Sequence, residues 1–281
     1  MSAEDSGWEV DPDDEWGVAV VATVGRQLRL RRESVGMSAA EFGEALGYGE
    51  DLIYKIEGGK RIPRPEYLDK ADKVLRADGL ISAMKEDVAK VRYPKRERAL
   101  GELEARAVEM QLYEPFTIHG LLQTAEYARS LFLMRRPVYS QDAVERYVTG
   151  RVARSVVFER DPAPELSFVL EESSLRRPLG GRDVLRRQLE HLLNVAELRN
   201  VELQMMPLEQ AEHVGLAGSI EVLKSEDGSA FGRSPVVAGG RWMTARRQLR
   251  VLELRYGILR TQALTPGETT QAIQRLWGEL S

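Results

Sequence analysis

Up to about residue 78 the apolar positions recur at the three-to-four residue spacing of helices. From Gly101 onward that spacing alternates with the two-residue period of strands. In the first region Val21, Val24 and Leu28 fall on one stripe of a helix over 18–34, and Leu68, Ala71 and Leu75 on one stripe of a helix over 65–75. Between them, 36–63 reads as two short helices joined by a tight turn and followed by a basic loop. Ser38 is placed to cap a helix over 39–46 whose apolar face is Phe42 and Leu46, and Gly47-Tyr48-Gly49 supplies the turn. A second helix over 50–57 puts Ile53 and Ile56 inward, leaves Asp51, Tyr54 and Lys55 outward, and ends at Gly58-Gly59. Four or five helices in about 60 residues with such a pair inside them fit a compact DNA-binding domain.

In the second region helices are expected over 120–133, over 140–159 with Val144, Val148, Val152 and Val156 at spacings of four, and over 181–198 with Leu185, Leu189, Leu192 and Val195. Two more, over 244–259 and 266–280, close the chain. Strands are expected over 166–170, over 201–206 where Val201, Leu203 and Met205 alternate, and over 219–223 and 231–237 around a turn at 225–228. The fold class is therefore an all-α N-terminal helix-turn-helix domain of four to five helices, followed by an α+β domain with a small antiparallel sheet. The expected divisions are an acidic disordered tail over 1–16, the helix-turn-helix domain over 17–78, a linker helix over 79–100 interrupted near Pro94, and the α+β domain over 101–281.

A length of 281 residues with 43% hydrophobic residues allows about two domains. The net charge of −4 argues against a protein that coats nucleic acid, so any DNA contact is local. The absence of cysteine excludes disulfides and thiolate metal sites. No apolar run approaches the ~20 residues of a membrane-spanning helix, and no signal pattern opens the chain, so a soluble, cytoplasmic protein is expected. The first sixteen residues hold seven acids and no base, which predicts a disordered tail. The alternative is that this tail folds back near Arg26 and Arg61 as a DNA mimic.

The run Leu28, Arg29, Arg32, Gly36, Ser38, the IYKIE box ending in Glu57, then Gly59 and Lys60-Arg61 resembles the XRE-type helix-turn-helix of phage-repressor-like regulators. The resemblance implies that Glu57 pairs with Arg29 or Arg32; the bland alternative is a surface ion pair of little energetic weight. The residues expected to meet DNA are Ser38, Asp51, Tyr54, Lys55, Lys60, Arg61 and Arg64. The chain departs from the family in carrying Ala39 and Glu50-Asp51 where many members have glutamine or serine. Carboxylates repel phosphate, but Asp51 can accept a hydrogen bond from a cytosine amino group. One such domain should bind weakly, and a dimer presenting two recognition helices would compensate.

Further along, GLLQTAEYAR, LEESSLRRPLGGRDVLRRQLEHLL, VELQMMPL, EHVGLAGSIEVL and ALTPGE resemble, in that order, the C-terminal domain of unknown function of WhiJ-type actinobacterial developmental regulators. What that resemblance implies is a transcription factor whose C-terminal domain receives a signal, often with a small partner protein encoded nearby. It supplies no ligand, cofactor or catalytic residue. Family members usually carry proline where this chain has His119.

The residues of this domain assemble no enzyme site. His119, His191 and His213 are scattered without metal-ligand spacing, so no metal is expected. Glu171 and Glu172 follow a strand and point to opposite faces; an ion pair with Arg176 or Arg177, pinning the strand to the Gly180-Gly181 loop, suits them better than acid–base work. An effector pocket lined by Leu121, Leu122, Tyr127, Phe168, Met205, Met206 and His213 is one expectation, and ordinary core is its alternative. The reading is a homodimeric, sequence-specific DNA-binding regulator with double-stranded DNA, a second copy of itself, an unidentified effector and a small nearby-encoded protein as partners. A protein-interaction adaptor with little DNA affinity and an enzyme in the C-terminal domain are the alternatives.

Overall fold

The structure is a computed structural model and describes residues 8–10, 14–92, 95–234 and 241–280. The chain divides into two compact units: Met1–Ala99 with Ser140–Gly150, and Leu100–Tyr139 with Arg151–Ser281.

In the first unit β1 (Trp8–Glu9) precedes α1 (Glu15–Ser34), α2 (Ala39–Leu46), α3 (Glu50–Glu57), β2 (Arg61–Ile62), α4 (Pro65–Val74) and α5 (Lys85–Val91). The two short strands pair antiparallel, with Trp8 opposite Ile62 and Glu9 opposite Arg61. Helix α1 starts where the Asp14 carboxylate accepts the Gly17 N–H at 3.2 Å, and the same buried carboxylate binds the Arg98 guanidinium at 3.0 Å. The expected disordered tail over 1–16 is thus corrected at its described positions: Trp8–Glu9 form a strand, Asp14 is a buried cap and Glu15 opens a helix. Residues 1–7 and 11–13 of that tail lie outside the described residues.

Val21, Val24 and Leu28 of α1, Phe42 and Leu46 of α2, Ile53 and Ile56 of α3 and Leu68 and Ala71 of α4 form one buried core. Gly25 lets α1 approach the end of α3 closely. A Cβ there would stand 2.4 Å from the Ile56 carbonyl oxygen and 2.7 Å from that of Glu57. The expected linker helix over 79–100 is partly drawn into this core, because Ile81, Val88 and Val91 share its apolar side and are buried. Burial opposes ionisation of Asp72, but backbone N–H groups of Ser82, Gly79 and Ile81 outweigh it, so its pKa is lowered and its carboxylate fixes the turn into α5. Pro94 lies outside the described residues. Residues 140–150, expected in the second domain, belong to the first unit.

In the second part of the chain come α6 (Lys95–Arg106), β3 (Ala107–Glu114), α7 (Ala125–Leu133), α8 (Gln141–Ala153), β4 (Glu165–Glu171), α9 (Glu172–Arg176), α10 (Arg182–Ala196), β5 (Val201–Met206), β6 (Ile220–Ser225), β7 (Ala230–Arg233), α11 (Arg246–Gln262) and α12 (Pro266–Glu279). The five strands form one mixed sheet in the order β5-β4-β3-β6-β7. The expected small antiparallel sheet is therefore corrected: β3, β4 and β5 are parallel, and β6 alone is reversed, pairing antiparallel with β3 on one side and β7 on the other. Helical segments connect β3 to β4 and α10 connects β4 to β5, and crossovers of that length return the chain in parallel. One face, with Met110, Leu112, Leu166, Phe168 and Leu203, is covered by Leu185, Leu189 and Leu192 of α10 and Ile273 and Leu276 of α12. The opposite face, with Tyr113, Val169, Met206 and Val222, is covered by Leu252, Tyr256 and Leu259 of α11. Residues 235–237, expected to continue β7, lie outside the described residues. Among the described residues no helix is long and apolar enough to cross a membrane.

Candidate nucleic-acid interface

Helices α2 and α3 occupy the expected positions, and their ends follow from local chemistry. The Ser38 hydroxyl accepts the Glu41 N–H at 3.2 Å while the Glu41 carboxylate accepts the Ser38 N–H at 2.7 Å, a reciprocal cap. The Ser38 hydroxyl also donates to that carboxylate at 2.7 Å, so its polar groups are engaged within the helix end. Gly47 closes α2 at a φ of 82°, which favours glycine.

Leu52, Ile53, Ile56 and Glu57 of α3 face inward. Glu57 accepts a two-pronged contact from Arg32, Nε to Oε1 at 2.7 Å and Nη2 to Oε2 at 2.8 Å, with both side chains buried. The remaining Arg32 nitrogen, Nη1, donates to the Met37 carbonyl at 2.7 Å. A single guanidinium therefore ties α1 to the end of α3 and to the chain entering α2. Of the two arginines the resemblance offered, Arg32 makes this pair; Arg29 binds Glu33 at 2.8 Å on the surface.

The outward face of α3 carries Asp51, Tyr54 and Lys55, all exposed. Its carboxylates are not bare. Asp51 pairs with Lys55 at 2.6 Å, and the Tyr54 hydroxyl donates to Glu50 at 3.0 Å. Each pair joins neighbouring helical turns, so the acidic start of the helix presents compensated charge and one aromatic hydroxyl. Past the helix Lys60 is exposed. Arg61 is not: its side chain is only 15% exposed and faces Asp142 at 3.4 Å and Glu9 at 3.9 Å. Arg64 is half-buried, with its Nε buried and unpartnered. The expected DNA set thus divides. Asp51, Tyr54, Lys55 and Lys60 are each exposed, whereas Ser38 is engaged within its helix end and Arg61 is largely buried against carboxylates. Arg31, whose guanidinium reaches the Leu75 carbonyl at 3.1 Å and that of Arg76, is committed to the end of α4.

In the second unit the expected pocket does not assemble. Leu121, Leu122, Tyr127, Phe168 and Met205 are packed core on one face of the sheet, and Met206 is core on the other. Successive side chains of a strand point to opposite faces, so Met205 and Met206 cannot line one cavity. Met205 also borders a 330 Å³ cleft with Glu172, Arg176, Arg275 and Glu279. His213 lies beyond the C-terminal end of β5, its Nε2 3.7 Å from Glu171, which accepts the Tyr113 hydroxyl at 2.6 Å. Burial, then that hydrogen bond, raises the Tyr113 pKa. Glu172 pairs with Arg176 at 2.6 Å, as expected for one of the two, and its other oxygen accepts the Leu208 N–H at 3.0 Å. It therefore anchors the segment after β5 rather than the Gly180-Gly181 loop. A larger open groove of about 890 Å³, which sequence reasoning missed, is lined by Leu103, Arg106, Val108, Arg160, Pro162, Ser225 and Phe231. Its residues come from separate stretches of chain and carry no shared motif. Among the described residues no group of three His, Cys, Asp or Glu side chains is placed to hold a metal.

His119 is buried, and its Nδ1 accepts the Leu121 N–H at 3.3 Å. Burial pushes its imidazole well below the ordinary range, aided by the guanidinium groups of Arg154, Arg151 and Arg233. The unfolded chain takes up a proton near pH 6.5 while the folded chain refuses it. Stability is fully present above that pH and is lost as pH falls toward the folded-state value, by up to about 1.4 kcal/mol per unit. Denaturant midpoints measured from pH 7 to pH 5 should therefore fall less steeply in His119→Asn, whose amide oxygen can replace Nδ1. Parallel pH profiles would remove His119 as a contributor.

Residues 23–81 match the family described as a helix-turn-helix domain, here an XRE-like one, and residues 98–275 match the domain of unknown function DUF5753. The first match points to a DNA-binding regulator, and neither description names an enzymatic activity. No curated protein and no solved structure is significantly similar to the chain.

Proposed function

We propose, from the premise that the chain belongs to the DUF5753 family and carries a helix-turn-helix domain ahead of that domain, a sequence-specific transcriptional regulator that binds operator DNA as a homodimer. The observation that carries this reading is the division of α3. Ile53, Ile56 and the Arg32-bound Glu57 fix its inner face, while Asp51, Tyr54 and Lys55 stand outward with Lys60 just beyond. A helix held that way, with a carboxylate, a lysine and an aromatic hydroxyl on its outward face, suits base-edge reading in a major groove. Few accessible cations accompany it, which favours two half-sites over one.

The second domain is the receiver of a signal in this reading. In this reading the open groove is where a small effector would sit, since apolar side chains there are combined with the opposite charges of Arg106, Arg160, Glu226 and Asp227. The acidic start of α3 favours one other reading, an adaptor with little DNA affinity. Selection of binding sites from a random duplex pool with the full chain separates the two. A regulator enriches one motif with two related half-sites; an adaptor enriches none.

A further inference from the structure

Arg61 is the second basic residue after the recognition helix, on the loop that carries Lys60. Its guanidinium lies between two carboxylates that come from distant parts of the sequence. Asp142, at 3.4 Å, is on α8, and Glu9, at 3.9 Å, is on β1. The arrangement is built rather than incidental. β1 is held beside β2 by backbone pairing, and Arg146 of α8, itself buried, donates to the Glu9 carbonyl at 2.6 Å. All four residues belong to the same compact unit, although 140–150 arrives from the later chain.

We propose that Asp142 and Glu9 are an intramolecular phosphate mimic on Arg61, an autoinhibitory contact that withholds this guanidinium from DNA. A guanidinium held by two carboxylates gains little from a phosphate, because the phosphate must first displace them, and the displaced acids would then face the DNA backbone. DNA affinity is therefore set partly by how firmly α8 and β1 hold Arg61.

The inference rests on the DNA-binding reading, and its test keeps the two apart. Full-length wild type and the Asp142→Asn/Glu9→Gln variant, which keeps side-chain shape and removes both charges, are titrated by fluorescence anisotropy against a mixed-sequence duplex over a range of salt. The variant should bind about three- to tenfold more tightly, with a log affinity against log salt slope steeper by about one, the value for one additional phosphate contact. Adding Arg61→Ala should abolish the gain. Unchanged affinity and slope in the variant would overturn the clamp. So would a gain that survives Arg61→Ala, since it would reflect general repulsion by the two acids. If wild type and variant both bind no duplex at any salt, the DNA-binding reading fails and the clamp with it. Asp142→Asn alone, at a half-exposed site, provides a second variant should the double change disturb folding.

Discussion

Glu57→Ala should destabilise the first unit by about 3–5 kcal/mol, the usual result of removing one partner from a buried charge pair. The Arg32 guanidinium would remain buried with two of its three hydrogen bonds gone, since only the one to the Met37 carbonyl is independent of Glu57. Against a total stability of about 5–15 kcal/mol, that loss leaves the domain marginal. Arg29→Ala is the matched control. Its pair with Glu33 is on the surface, and such pairs contribute about 0–1 kcal/mol. Denaturant unfolding of the full chain, with amide hydrogen exchange to localise the change to α1 and α3, reads both. A Glu57→Ala protein within 1 kcal/mol of wild type, where ~1 is the ceiling for surface pairs, would show that the pair is as weak as an exposed one.

Phe168→Ala should be comparably damaging to the second unit, at about 3–5 kcal/mol. Phe168 is fully buried at the middle of β4, with the His119 ring 5.7 Å and the Phe158 ring 6.5 Å away. A close-packed interior does not collapse around a missing ring, so most of its volume becomes a cavity. The outcome also decides between core and pocket wall. A wall residue can be truncated with the fold intact, and a thermal melt of Phe168→Ala indistinguishable from wild type would return Phe168 to the list of effector contacts.

The helix-turn-helix was legible because each of its signals is local. Ser38 at the helix start, the Gly47-Tyr48-Gly49 turn and the pair Ile53 and Ile56 act within one or two turns, and together they place α2 and α3. The pairing of Glu57 was legible only as a choice of two, because Arg29 and Arg32 are three apart and only the fold turns one of them inward. The central strand β3 is hidden by what precedes it. It follows α6 directly, Ala107 after Arg106, with no turn residue to mark the change of period, although Met110 and Leu112 alternate with Glu109 and Gln111 just as Leu203 and Met205 of β5 alternate with Glu202 and Gln204. Without that strand, the parallel half of the sheet had no frame and an antiparallel arrangement was the default. Strands β1 and β2 have two residues each, too short for any period, and their pairing depends on contacts across some fifty positions. The same distance hid the partners of Arg61. Asp142 is 81 residues away, so a basic residue next to a recognition helix read as a DNA contact although it is held by acids.

The division of α3 into a locked inner face and a reading outer face is tested most directly by selecting binding sites with the wild-type chain and with Asp51→Asn in parallel. The substitution removes the carboxylate that pairs with Lys55 and offers a donor and an acceptor suited to adenine. The expected result is a two-half-site motif for each protein, differing at one position per half-site. An identical motif for two folded proteins, or no motif for either, would contradict it.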